Sequence, residues 1–176
     1  MNVSVIIPAL NEEHTVAEVV RACLADDPLE VLVIDADSTD ATASRAAAAG
    51  ADVRNWRDIL SEEPRPGKGE SLWRGVAAAK GDIVVFVDAD LESAAPGMIA
   101  ALAAPFVDPA VDMVKARYQR SLNSQPTGGG RVTELTAKPL IKQFFPELAH
   151  IDQPLGGEYA PVSYTHLRAH ETRGNL

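Results

Sequence analysis

Gly81-Asp-Ile-Val-Val-Phe-Val-Asp-Ala-Asp90 is the stretch of sequence that decides the fold. Residues 83–87 are all apolar and do not alternate with polar residues, which predicts a strand that is buried on both faces. Similar runs occur at residues 3–7, where Ser4 is the single polar residue, and at residues 31–34, and helical patterns lie between the runs. This order predicts an α/β fold in which helices flank a mostly parallel sheet and the crossovers are right-handed.

The helices and the shorter strand have weaker signals. We expect Asn11 to cap the first helix, and Ser38 to cap an alanine-rich second helix that ends at Gly50. The pattern predicts a short strand over residues 51–54 and a third helix over residues 70–80.

The C-terminal third of the chain breaks this regular pattern. A strand is predicted over residues 113–120 and a helix over residues 132–145, interrupted by Pro139. The string from Val162 to Thr172 resembles the translation of a sequencing adapter, so we exclude residues 162–176 from the fold as a non-native tail. We therefore expect a partial domain over residues 1–161 that is incomplete at its C-terminus.

Composition and charge exclude several functional classes. The chain is 46% hydrophobic and 23% charged, as is typical of globular proteins. Its net charge of −9 argues against binding to nucleic acid or to an anionic membrane surface, because both require a basic patch. The longest apolar run, residues 98–107, has about half the length of a membrane span. Cys23 is the single cysteine, which suits a reducing, cytoplasmic location.

Polar residues follow each of the three strongest strands, where parallel sheets bind ligands. The segments that contain them are Pro8-Ala-Leu-Asn-Glu-Glu13, Asp35-Ala-Asp-Ser-Thr-Asp40 and Asp88-Ala-Asp90. The last is a DxD motif, and Mg²⁺ or Mn²⁺ commonly takes one or two carboxylates together with substrate phosphates and water. The plainer alternative is that these aspartates only form a turn after the strand.

Two glycine-rich loops are candidate anion sites. Gly67-Lys68-Gly69 precedes a helix, so backbone N–H groups and the Lys68 ammonium can meet anionic oxygens. Gly128-Gly-Gly-Arg131 also precedes a helix and suits a small molecule that carries both a phosphate and a carboxylate. The alternatives are an exposed flexible loop and an ordinary glycine linker.

The strings quoted above, with Arg65-Pro-Gly-Lys-Gly-Glu70, resemble those of GT-A glycosyltransferases. Gly128-Gly-Gly-Arg-Val-Thr-Glu-Leu135 and Gln153-Pro-Leu-Gly-Gly-Glu-Tyr-Ala160 are similar to the actinobacterial glucosyl-3-phosphoglycerate synthases in particular. The resemblance covers residues 2–161. It implies transfer of glucose from UDP-glucose to the 2-hydroxyl of 3-phosphoglycerate, with retention at the anomeric carbon and with Mg²⁺ or Mn²⁺ as cofactor.

The resemblance also implies roles for individual residues and a homodimer for the full-length protein. The residues implied in donor binding are Pro8, Ala9, Leu10, Asn11, Glu12, Ser38, Lys68, Asp88 and Ala89. Asp90 is implied as the metal ligand, and the acceptor residues are Gly130, Arg131, Val132 and Thr133.

The catalytic residues are unknown at this stage. Family members carry a metal-site histidine and further acceptor-binding residues in C-terminal elements that find no match here, and no residue in 1–161 is a credible general base. We therefore expect this chain to be weakly active or inactive. Two alternatives stay open: a family-2 sugar transferase with another donor, such as a mannosyl donor, and a non-catalytic fragment that binds UDP-sugars.

Overall fold

The computed structural model describes residues 1–117, 120–122, 125–127 and 132–162, and it divides into two compact units. Residues 1–114 and 158–162 belong to the first unit, and residues 115–157 to the second. The strands are β1 Val3–Ala9, β2 Glu30–Asp35, β3 Asp52–Asn55, β4 Ile83–Phe86, β5 Met113–Lys115, β6 Arg120–Leu122, β7 Gln125–Thr127 and β8 Tyr159–Pro161. The α-helices are α1 Val16–Leu24, α2 Thr42–Ala48, α3 Lys68–Ala78, α4 Met98–Ala103 and α5 Lys138–Phe144. Short 3₁₀ turns span Trp56–Asp58, Ala104–Val107 and Pro146–Leu148, and a π-helical turn spans Thr133–Ala137.

The sheet has the strand order β3-β2-β1-β4-β8-β5 and is mostly parallel, as predicted. β1 is parallel to both β2 and β4, and β2 is parallel to β3. The register places Ala9 beside Asp35 and Asp35 beside Asn55, so β1, β2 and β3 end side by side. β8 runs antiparallel to β4 and pairs Tyr159 with Phe86.

The apolar strands form the core because both faces of the sheet are covered. On the face packed by α3, a buried cluster contains Ile6, Leu32, Ile34, Val76, Val84 and Phe86. The alternate strand residues point to the opposite face and are equally buried, Val5, Ile7, Val33 and Val85 among them. The apolar side of α1 is buried as well, including Val19 and Cys23. Unbroken apolar strands thus correspond to a two-sided core, as the sequence predicted.

The two predicted helix caps are wrong. α1 follows Thr15, not Asn11, and α2 begins at Thr42, beyond Ser38. The backbone N–H of Asn11 donates to Ser38 Oγ over 3.0 Å, and Asn11 Oδ1 accepts from the backbone N–H of Thr39 over 2.8 Å. Both predicted caps therefore join the loops after β1 and β2 to each other, and this tertiary contact takes the place of capping.

Other boundaries differ from the predictions in smaller ways. α3 begins two residues early, and the φ angle of +124° at Gly67 sets its start in a conformation that favours glycine. The predicted strand over 113–120 is divided into β5 and β6. The predicted interruption at Pro139 is wrong: the π-helical turn Thr133–Ala137 runs directly into α5, and Pro139 lies in the first turn of α5. β8 was not predicted.

The second unit contains the antiparallel β6–β7 pair and α5. Lys115 Nζ donates to the Gly156 carbonyl over 2.6 Å, and Arg117 pairs with Asp152 over 2.7 Å. Within the residues that the structure describes, no helix is both long enough and apolar enough to cross a membrane.

Candidate functional site

A cleft of about 300 Å³ opens at the carboxyl ends of the parallel strands, where the sequence predicted ligand binding. It lies entirely within the first unit. The structure brings together most of the residues predicted for the donor and the metal, and those that line the cleft are Pro8, Ala9, Leu10, Glu12, Lys68, Asp88, Ala89 and Asp90.

Asn11 and Ser38 stand just outside this lining and hold the loop that forms it. Asn11 has a φ angle of +57°, which turns the chain after β1 back toward the loop after β2. Beside it, the backbone N–H of Glu12 donates to the buried Thr42 Oγ1 over 2.7 Å. Ser38 in turn donates its backbone N–H to Asp35 Oδ2 over 3.3 Å. Asn11 and Ser38 therefore hold the loops after β1 and β2 together, and they do not themselves line the cleft.

Three lining residues were missed by the sequence analysis: Ala36, Trp56 and Ser71. Ala36 and Trp56 directly follow β2 and β3, so the strand-end rule could have found both. Ser71 lies three residues after Lys68 on α3, a spacing that places two side chains on one helix face. Trp56 had no polar signal, and it became visible only when the end of β3 was located.

Lys68 and Asp88 form an ion pair at the cleft, between Lys68 Nζ and Asp88 Oδ1. The Lys68 side chain is 51% exposed and that of Asp88 is 24% exposed. An ammonium group has three N–H donors, so Lys68 can keep Asp88 and also donate to an anionic oxygen in the cleft. Gly67 lines the same wall and begins the helix, as expected for an anion site at a helix N-terminus.

The carboxylates around the cleft repel one another. Burial raises the pKa of Glu12, and the negative charges of Asp90, Asp40 and Asp88 raise it further. Burial likewise raises the pKa of the Tyr159 phenol, with a contribution from Asp88. This concentration of negative charge favours the binding of a cation at the carboxyl end of β4.

The carboxylates of the cleft fit a hard divalent cation whose coordination shell is completed by the substrate. Among the described residues, no group of three or more His, Cys, Asp or Glu side chains is placed to hold a metal. Asp90 is exposed at the cleft, and Asp88 lies two residues away. Mg²⁺ and Mn²⁺ usually bind through one or two carboxylates with substrate phosphates and water, which is what these residues can offer.

Of the predicted acceptor residues, Val132 and Thr133 belong to the second unit. Gly130 and Arg131 lie outside the described residues. Val132 is exposed, and Thr133 is buried at the start of the π-helical turn. The predicted acceptor loop therefore stays a prediction.

Comparison with known proteins identifies the family. The model of glycosyl transferase family 2 matches residues 4–155. Glucosyl-3-phosphoglycerate synthase from Mycolicibacterium paratuberculosis is 49% identical over 90% of this chain and 52% of its own length. The chain spans about half the length of the curated relatives it matches.

Solved structures confirm the predicted GT-A fold. One is glucosyl-3-phosphoglycerate synthase from Mycobacterium tuberculosis in complex with Mn²⁺, UDP-glucose and phosphoglyceric acid, with a TM-score of 0.82 and 42% identity. It is matched over 93% of this chain and 57% of that chain. A structure of the same protein with Mn²⁺, UDP and glucosyl-3-phosphoglycerate gives a TM-score of 0.82 at 43% identity and matches 93% of this chain and 57% of that chain. The resemblance to the glucosyl-3-phosphoglycerate synthases is thus confirmed, and the chain belongs to glycosyl transferase family 2.

Proposed function

We propose that the protein transfers glucose from UDP-glucose to the 2-hydroxyl of 3-phosphoglycerate, with retention at the anomeric carbon. The observation that carries this proposal is the cleft in which Lys68, Asp88 and Asp90 converge at the ends of the parallel strands. Relatives of this chain have been solved with Mn²⁺, UDP-glucose, phosphoglyceric acid and the glucosylated product. The proposed substrates match the ligands of those proteins.

The donor nucleotide fits the walls that β1, β2 and β4 supply. The backbone from Pro8 to Leu10 forms the carboxyl end of β1 and the first residue after it, so it offers peptide groups to the uridine. Asp88 and Ala89, which line the cleft after β4, would contact the ribose. Lys68 contributes a positive charge toward the pyrophosphate, where it offsets the negative charge of the leaving UDP.

Asp90, with Asp88 beside it, would hold the divalent cation. A bound Mg²⁺ or Mn²⁺ ion would stabilise the negative charge that develops on the β-phosphate when UDP departs. Glu12 adds to the negative potential of this region, since its carboxylate is close enough for Asp90 and Asp88 to raise its pKa. The acceptor residues of this proposal are Gly130, Arg131, Val132 and Thr133, of which the last two begin a helical segment.

A turnover assay tests the reaction. The chain is incubated with 3-phosphoglycerate, Mn²⁺ and either UDP-glucose or GDP-mannose, and mass spectrometry detects the product. Glucosyl-3-phosphoglycerate formed only from UDP-glucose supports the proposal. A product from GDP-mannose alone contradicts it in favour of another sugar transferase.

A binding assay separates catalysis from ligand recognition. Calorimetry with UDP is performed with and without Mn²⁺ on the native chain and on Asp90→Ala. Metal-dependent UDP binding without turnover favours the alternative of a non-catalytic UDP-sugar-binding fragment. If UDP binding to Asp90→Ala keeps its full dependence on Mn²⁺, the assignment of Asp90 as the metal ligand is wrong.

We further propose that the protein forms a homodimer and acts in the cytoplasm. The second unit exposes large apolar side chains, including Leu135, Phe144 and Phe145, which a second copy could cover. The buried, free thiol of Cys23 suits a reducing compartment. Sedimentation equilibrium tests the dimer, and a monomer at all concentrations contradicts it. Fractionation of the source cells tests the location.

A further inference from the structure

Arg74 is the largest fully buried side chain of the described residues, with 0% exposure. It lies on α3, six residues after Lys68, and its Nε donates to Glu70 Oε1 over 2.8 Å one helical turn away. Glu70 is also buried, with its side chain 6% exposed. A buried charge is tolerated only when it is paired and hydrogen-bonded, so this guanidinium requires all its partners.

Most partners of Arg74 are backbone carbonyls of a single segment, residues 56–62, which follows β3. Nη1 donates to the Trp56 carbonyl over 2.9 Å and to the Leu60 carbonyl over 3.2 Å. Nη2 donates to the Glu62 carbonyl. One planar guanidinium thus gathers three carbonyls of the 3₁₀ turn and the following loop, and of these the Trp56 carbonyl also accepts from the Ile59 backbone N–H.

The contacts of Arg74 join two walls of the cleft. Trp56 lines the cleft from the segment that Arg74 holds, and Lys68 and Ser71 line it from the helix that carries Arg74. Arg74 itself is not among the lining residues. It therefore acts on a ligand only through the groups that it positions.

We propose that Arg74 is a positioning residue of the cleft, which locks Trp56 and residues 56–62 onto the helix that presents Lys68 and Ser71. Two independently moving walls would have to be ordered each time a nucleotide binds, whereas a preordered pair avoids that cost. The affinity readout of this inference rests on the proposed binding of UDP. The state of Trp56 tests it without any ligand.

Arg74→Lys is the sharpest variant, because lysine keeps the charge opposite Glu70 but lacks the planar fork that reaches three carbonyls. It is made in a Trp73→Phe background, which leaves Trp56 as the sole one of the two tryptophans and keeps an aromatic ring beside Arg74, whose Cζ lies 5.8 Å from the centroid of the Trp73 ring. We expect the emission of Trp56 to shift to longer wavelength and its quenching by acrylamide to increase. We also expect the dissociation constant for UDP with Mn²⁺ to rise about tenfold.

Two controls in the same background separate positioning from general destabilisation. Arg57→Lys makes the same change in the same segment, at a side chain that is 48% exposed, and should change neither readout strongly. Ser4→Ala removes the Ser4 Oγ that accepts from the Gly81 backbone N–H over 2.8 Å at the opposite end of the strands. It should lower the melting temperature and leave Trp56 emission and UDP affinity unchanged.

The outcomes distinguish a failure of the inference about Arg74 from a failure of the proposed function. Arg74→Lys with unchanged Trp56 emission overturns the inference, whatever its UDP affinity. Equal loss of UDP affinity in Ser4→Ala at an equal loss of melting temperature also overturns it. If the parent chain binds no UDP, the proposed function fails and the emission alone decides the role of Arg74. If Arg74→Lys does not fold, Glu70→Met/Arg74→Met leaves no unpaired buried charge and provides the same readouts.

Discussion

Gly75→Ala tests how closely α3 packs against the sheet. A methyl group added at Gly75 would lie 2.5 Å from Ile6 Cγ2, 3.1 Å from Ile6 Cδ1 and 3.2 Å from Ile34 Cγ1. Ile6 and Ile34 are both fully buried, so neither can move aside into solvent. The substitution therefore forces either the helix or the isoleucines out of position.

The size of the effect follows from two opposing contributions. Replacing glycine by alanine inside a helix stabilises it by about 1 kcal/mol. Inserting a methyl group into a packed core costs about 1–3 kcal/mol, and the upper end applies because 2.5 Å is far below a normal carbon–carbon contact. We expect Gly75→Ala to lose about 2 kcal/mol of unfolding free energy, or roughly 4–8 °C in melting temperature.

Gly69→Ala is the matched control on the same helix. A methyl group at Gly69 has no heavy atom within 4 Å, so only the helix propensity changes. We expect its unfolding free energy to stay constant or to rise by less than about 1 kcal/mol. Both variants are measured by urea denaturation, followed by circular dichroism, with the m value checked for constancy.

A double variant identifies the contact responsible. Ile6→Ala leaves a cavity that the alanine at position 75 can fill, so the cost of Gly75→Ala should disappear in that background. The two substitutions should therefore couple by about 2 kcal/mol, since they change one shared contact. Equal stability of Gly75→Ala and Gly69→Ala, or additive effects in the double variant, would refute the proposed close packing of α3 on β1.

Three further outcomes are expected. Lys68→Gln should weaken UDP binding about tenfold in calorimetry, because it removes a charged donor from the cleft; unchanged affinity would contradict the role of Lys68 at the pyrophosphate. Burial raises the pKa of the Cys23 thiol from 9.0 to about 12, so the stability that the protonated thiol provides is complete below pH 9 and is lost as the pH rises toward 12. Cys23→Ala should flatten this decline of the unfolding free energy, and an identical pH profile would count against it. Burial and then the charge of Asp90 raise the pKa of Glu12, so the stability that protonated Glu12 contributes is present below its ordinary pKa of 4.5 and is lost as the pH rises through the raised value. Glu12→Gln should therefore raise the melting temperature at pH 7 without divalent cations; a lower value would argue against this repulsion.

The strands and their chemistry were predictable because they depend on local pattern. The apolar runs that became β1, β2 and β4 are visible in the sequence, with Ser4 as their single polar residue, and a two-sided core follows from them. The residues after those runs then had to meet at one end of the sheet, since parallel strands share their direction. Asp88, Asp90 and Pro8 were placed at the cleft by this argument.

Helix starts were less predictable, because several interactions compete for the same residue. Asn11 and Ser38 have the side chains of good caps, yet each is engaged by the neighbouring loop. A sequence pattern records the ability of a side chain to form a hydrogen bond and not its choice among partners. The choice depends on which loops the sheet brings together.

The class of fold, the edge of the sheet that carries the site and most of the polar lining of the site were predictable from the sequence, because hydrophobic periodicity and strand direction are local properties of the chain. The role of Arg74, which joins Trp56 on one wall of the cleft to the helix that carries Lys68 and Ser71, became visible only in the folded molecule. It rests on contacts between residues far apart in the chain, and the partners of Arg74 in that segment are carbonyl groups, which every residue possesses. A sequence contains no mark that distinguishes one such carbonyl from another.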